Sequence, residues 1–162
     1  MASDFTVVGN LPLPKRLVAL LESGLWPRTH AEAEWQNVRS LVSADRIHLF
    51  APDEDKIYLS APPFHTVADE VRQQGQGKFW SKWGALKEIS PDLALLIGGF
   101  ELGSDSCIVL DYRQDPTNPS VMRLKWRNGQ PNTWVSCAET FEEFADMIAL
   151  DVRKTSSQFG VR

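Results

Sequence analysis

Between Leu95 and Tyr112 the chain reads LLIGGFELGSDSCIVLDY, which sets Gly98, Gly99 and Gly103 beside Glu101, Ser104, Asp105 and, a strand's length on, Asp111. A glycine-rich turn can aim several backbone N–H groups at an anion, and clustered carboxylates can hold a hard cation or move a proton. Phosphate binding fits poorly. The glycines are not followed by the Lys of GxxxxGK[ST], GxGxxG is missing, and the next element reads as a strand, not a helix that could lend its N-terminus. Carboxylate chemistry needs Asp105 and Asp111 on one face of a regular strand, and no His, Lys or nucleophile joins them at a recognisable spacing. The structural reading is stronger: glycine permits positive φ or a close backbone approach, and Ser104 and Asp105 bond locally to the turn. Gly98, Gly99 and Gly103 are read as turn residues.

Other constellations are charged faces. Glu139, Glu142, Glu143 and Asp146 recur at helical spacing and form an acidic stripe, which with Glu101 and Asp105 makes the candidate partner-binding surface. In VMRLKWR, alternation places Met122, Leu124 and Trp126 on one strand face and Arg123, Lys125 and Arg127 on the other, the pattern of a sheet wet on one side. Trp80 and Trp83 beside Lys78 and Lys82 can stack on bases or cover a core; core cover is the preferred reading. Trp26 and Trp126 are the candidates for an exposed interface indole. Cys107 and Cys137 lie far apart without CxxC, and the three His are scattered, so neither a metal site nor a disulfide framework is expected. No cofactor is indicated.

The chain has 162 residues, 43% apolar and 23% charged, which suits one domain over residues 1–152 with a polar tail at 153–162. Apolar runs are strand-sized, far below the roughly 20 residues of a membrane span, and the N-terminus lacks a signal-peptide pattern. A cytoplasmic protein without a membrane partner is expected. The net charge of −4 argues against nucleic acid. It is unevenly spread: residues 91–112 and 138–151 hold acids and no Lys or Arg, whereas 121–127 hold three cations.

The elements follow from punctuation and period. LPLPKRLVALLESGLWP predicts a short helix with Pro at its entrance, Leu17, Leu20 and Leu21 on one face and Gly24 as the stop. THAEAEWQNVRSLV predicts a second helix, with Thr29 and Glu32 as its capping box and Ala31, Trp35, Val38 and Val42 on one face. RIHLF and KIYLS predict a hairpin across APDED, and a short helix is expected from about Thr66. ALLIG, CIVLDY, VMRLKW and TWVSC predict four successive strands, with Asn128-Gly129 turning between the last two. AETFEEFADMIAL predicts a closing helix with Thr140 and Glu143 as capping box and Phe141, Phe144, Ala145 and Ile148 inside.

The Leu-Pro helix LPKRLVALLESG, the IGGFELGSD crossing, the aliphatic strand ending in Asp111 and the closing VSCAETFEEFADMI together resemble the SUKH superfamily, specifically its Smi/Knr branch. That resemblance, clearest over residues 90–150, implies an α+β fold with a central, mainly antiparallel sheet flanked by helices. It implies a non-catalytic binding scaffold whose bacterial members are immunity proteins against polymorphic toxins. A protein partner is therefore expected. The competing expectation is a small-molecule or nucleotide-binding regulator or hydrolase using the region Gly98 to Asp111.

Overall fold

The structure, a computed structural model, describes residues 7–29, 35–37, 56–73, 78–99 and 106–148. Its fold is α+β: an antiparallel sheet covered by helices on both faces. A two-stranded ribbon of β1 (Val7–Val8) and β2 (Leu11–Pro12) turns at Gly9, whose φ of 59° is in the left-handed region, and leads into α1 (Lys15–Ser23). Pro14 occupies the N-cap of α1, and Gly24 ends it at φ 82° while its N–H reaches back to the Leu21 carbonyl. Left-handed backbone at a helix end is where Gly is favoured. Leu17, Leu20 and Leu21 are all buried, each worth about 1.5–3 kcal/mol on transfer from water.

Among the described residues the main sheet has seven strands: β3 (Trp35–Asn37), β4 (Lys56–Leu59), β5 (His65–Thr66), β6 (Ala94–Gly99), β7 (Cys107–Asp111), β8 (Ser120–Lys125) and β9 (Thr133–Ala138). They run β3-β4-β6-β7-β8-β9, and β5 pairs with the opposite end of β6 from β4. Strands β6 to β9 form a meander, as the four apolar runs predict. Between β5 and β6 lie α2 (Val67–Gln73), α3 (Lys78–Lys82) and two single turns of 3₁₀ helix, Leu86–Glu88 and Pro91–Leu93. The chain closes with α4 (Phe141–Ile148).

Alternation sorts the strand side chains into two cores. Leu95, Ile97, Ile108, Leu110, Val121 and Cys137 face α1 and α4, with Trp26 and Phe141 wedged among them. Ala94, Cys107, Val109, Leu124 and Trp134 face the other way, onto Val67, Trp80 and Ile89. Strand β7 is buried at every position, which explains why CIVLD reads as an unbroken apolar run. Tyr112 extends it and donates its phenol to the Pro12 carbonyl at 2.9 Å, fastening the N-terminal ribbon; burial pushes that phenol well above its ordinary pKa.

Two expectations are corrected. Trp35–Asn37 are a strand, not helix, paired antiparallel with Lys56–Tyr58; Thr29 stands in an exposed bend, and the remaining residues of the expected second helix, Glu32 of its capping box included, lie outside the described residues. Arg123 does not stand on a wet face. It is 1% exposed, because α1 and α4 cover the side of the sheet that alternation assigns to it. The first arm of the expected hairpin, residues 46–50, lies outside the described residues, and the described partners of β4 are β3 and β6.

Helix α2 begins where expected, with Thr66 as its cap: the Thr66 hydroxyl accepts from the Asp69 N–H, and the Asp69 carboxylate accepts from the Thr66 N–H, each at 3.1 Å. That backbone N–H is the main reason the Asp69 carboxyl is held below the usual carboxylate range. Helix α4 is capped in the same way. Thr140 Oγ1 accepts from the Glu143 N–H at 3.1 Å, and Glu143 Oε1 accepts from the Glu139 N–H at 2.8 Å. Thr140→Ala is expected to cost about 1 kcal/mol, read as a lower urea midpoint with unchanged slope.

Candidate functional site

Gly98 and Gly99, expected in a turn, stand in β6, and at Gly98 packing is what requires glycine. Gly98 and Gly99 are the last residues of β6, paired with Ile108 and Cys107 on one side and with Leu59 and Tyr58 on the other. The β6–β7 register slips between Leu96 and Gly98, which turns the backbone into close contact with β4. A Cβ on Gly98 would stand 2.5 Å from the Tyr58 carbonyl oxygen. Close backbone approach, and not positive φ, is thus what requires glycine at this position. Glu101, Gly103, Ser104 and Asp105 lie outside the described residues.

Asp111 is at the other end of β7, paired with Ala94, and four residues of strand put it about 13 Å from the glycine end. Both of its oxygens are taken. Arg113 donates Nε to Oδ1 at 3.0 Å and Nη2 to Oδ2 at 2.8 Å, and its Nη1 reaches the Glu88 carbonyl at 2.9 Å. These bonds to Asp111 are the main reason the Arg113 pKa is raised further. The pair ties β7 to the 3₁₀ turn at Glu88, whose carboxylate in turn accepts from the Trp134 N–H at 2.9 Å. Asp111 therefore acts as a structural anchor in this geometry.

Of the expected acidic stripe, Glu142, Glu143 and Asp146 lie on α4, while Glu139 stands in the bend before it. Phe141, Phe144, Ala145 and Ile148 are buried, so the helix is fixed about its axis and its acids are held outward. Glu139, Glu142 and Asp146 are exposed, whereas Glu143 is half-buried and spent on the cap. Arg16 of α1 donates to Glu142 Oε1 at 2.8 Å and to Asp146 Oδ1 at 3.3 Å. The carboxylates nonetheless keep 60% and 73% of their side-chain surface in solvent. Arg16 was not among the candidate residues, since nothing local marks a contact spanning 126 positions.

A second charged surface forms at the β8–β9 turn. Trp126 is 62% exposed and stands between exposed Lys125 and Arg127. Asn132, 2% exposed, tethers this turn to the end of α3: its side-chain oxygen accepts from the Arg127 N–H at 3.0 Å, and its own N–H donates to the Trp83 carbonyl at 2.7 Å. Lys82 Nζ lies 4.9 Å from the centre of the Trp83 ring. Trp80 is core, as preferred. Trp26 is fully buried and donates Nε1 to the Ser60 carbonyl at 2.8 Å, so of the two indoles named as interface candidates only Trp126 is exposed.

Cys107 and Cys137 are both buried. Among the described residues no group of three His, Cys, Asp or Glu is placed to hold a metal ion, and no helix is long and apolar enough to cross a membrane. Comparison of the chain with protein-family models, with curated proteins and with solved structures finds no match.

Proposed function

We propose that this chain is a non-catalytic, cytoplasmic protein-binding module of the SUKH type, and that it serves as an immunity protein whose α4 surface occludes a basic site on a toxin. The observation that carries the reading is α4 itself. Its apolar side is locked into the core while Glu142 and Asp146 project one helical turn apart, with exposed Glu139 in the bend just before the helix, an acidic surface that steers and orients a cationic partner. The architecture, a meander closed by a capped helix, supports the scaffold role the sequence motifs imply. The competing hydrolase reading is less well supported, since Asp111 is bound up by Arg113 and sits far from the glycines.

The test is affinity capture from the source organism with wild-type protein and a Glu142→Lys/Asp146→Lys double variant. Loss of a partner retained by the wild type and by Arg16→Ala is expected; Arg16→Ala controls for the lost α1–α4 ion pairs. An identical set of partners for the double variant would remove α4 as the binding surface. The immunity role further requires that co-expression rescue growth from the toxin so captured.

A further inference from the structure

The geometry points to a second binding surface, at the β8–β9 turn, for single-stranded nucleic acid. It is separate from α4 and does not depend on the role proposed for that helix. The net charge of −4 averages over segregated regions. Residues 71–87 and 116–138 contain no Asp or Glu, Asn132 ties one to the other, and the bordering Glu88 has its carboxylate turned onto the Thr133 hydroxyl and the Trp134 N–H. The tether holds the backbone of Trp83, whose ring carries Lys82, to the turn that bears exposed Lys125, Trp126 and Arg127. The basic surface thus draws on two segments, and of the cations that alternation grouped with Arg123 only Lys125 and Arg127 are exposed.

The alternation of flat apolar rings with cations matches a single strand, in which every nucleotide offers one base to stack and one phosphate to neutralise. Trp126 is the stacking platform, and Lys125 and Arg127 meet the phosphates on either side of it. An acidic peptide would satisfy the cations but leave the indole without a planar partner. A bilayer would need further apolar groups beside Trp126, yet its neighbours in the turn are Asn128, Gly129, Gln130 and Pro131. Single strands are favoured over duplex because stacking on an indole needs an unpaired base.

The probe is a fluorescein-labelled oligothymidylate titrated with the full chain and followed by anisotropy and tryptophan quenching. Expected are saturable binding, about tenfold or greater weakening in Trp126→Ala, and substantial rescue in Trp126→Phe. A log–log salt slope of about −2 is expected from three phosphate contacts. Trp126 is largely in solvent, so the variants should melt with the wild type, and melting curves check this. No binding, or binding indifferent to Trp126→Ala and to Lys125→Glu, overturns the proposal. Equal or tighter binding to poly-glutamate or to phosphatidylserine vesicles also overturns it, assigning the surface to an acidic protein or a membrane instead.

Discussion

Gly98→Ala is expected to destabilise the fold by about 3 kcal/mol, although it adds a single methyl group. The added carbon would meet the Tyr58 carbonyl oxygen at 2.5 Å, and the obstacle is backbone within a paired strand, which no rotamer change can clear. Relief requires β4 and β6 to separate, loosening the attachment of β4 to the rest of the sheet. Urea denaturation followed by tryptophan fluorescence checks the prediction through a lower midpoint. A neutral result would mean that β4 does not lie against Gly98 as described.

The largest side-chain effect is expected at Trp26. Trp26→Ala should cost about 3–5 kcal/mol, by cavity formation and by stranding the Ser60 carbonyl. The indole is fully buried, its ring centre lies 5.9 Å from that of Phe141, and its Nε1 supplies the bond to Ser60. It therefore joins α4 to the end of β4. Trp26→Phe should retain part of the packing and lose the hydrogen bond, giving an intermediate value. Trp126→Ala is the contrasting control, expected within about 0.5 kcal/mol of wild type. Thermal or urea melts of the three variants settle the order.

Much of this architecture was legible wherever one segment carries its own instructions. Helix α1 is written in three leucines between Pro14 and Gly24, and α4 in the Phe141 stripe and the Thr140–Glu143 cap. The four meander strands are bounded by turn residues that local chemistry explains. What escaped depends on the far side of a contact. Trp35–Asn37 carry a helical apolar spacing, but pairing with Lys56–Tyr58 decides their state. Alternation correctly separated Arg123 from Leu124, yet it cannot say that helices cover both faces.

The candidate site was legible in the same proportion. The spacing of Glu139, Glu142 and Asp146 places them outward, but the approach of Arg16 comes from the opposite end of the chain. The Asp111–Arg113 pair could have been found, because an Asp at a strand end favours a local bond from the N–H two residues on, here Arg113 N–H to Asp111 Oδ1 at 3.1 Å. The need for glycine at position 98 could not, since Tyr58 is brought there only by the sheet.

Glu88 has one more effect on the molecule. Among the described residues β9 is the last strand of the main sheet, and a terminal strand invites a neighbouring chain to extend the ladder. By placing its carboxylate on the Trp134 N–H, Glu88 removes a donor that an incoming strand would need and sets a negative charge in that strand's path. A turn that braces the interior thereby also blunts the open side of β9.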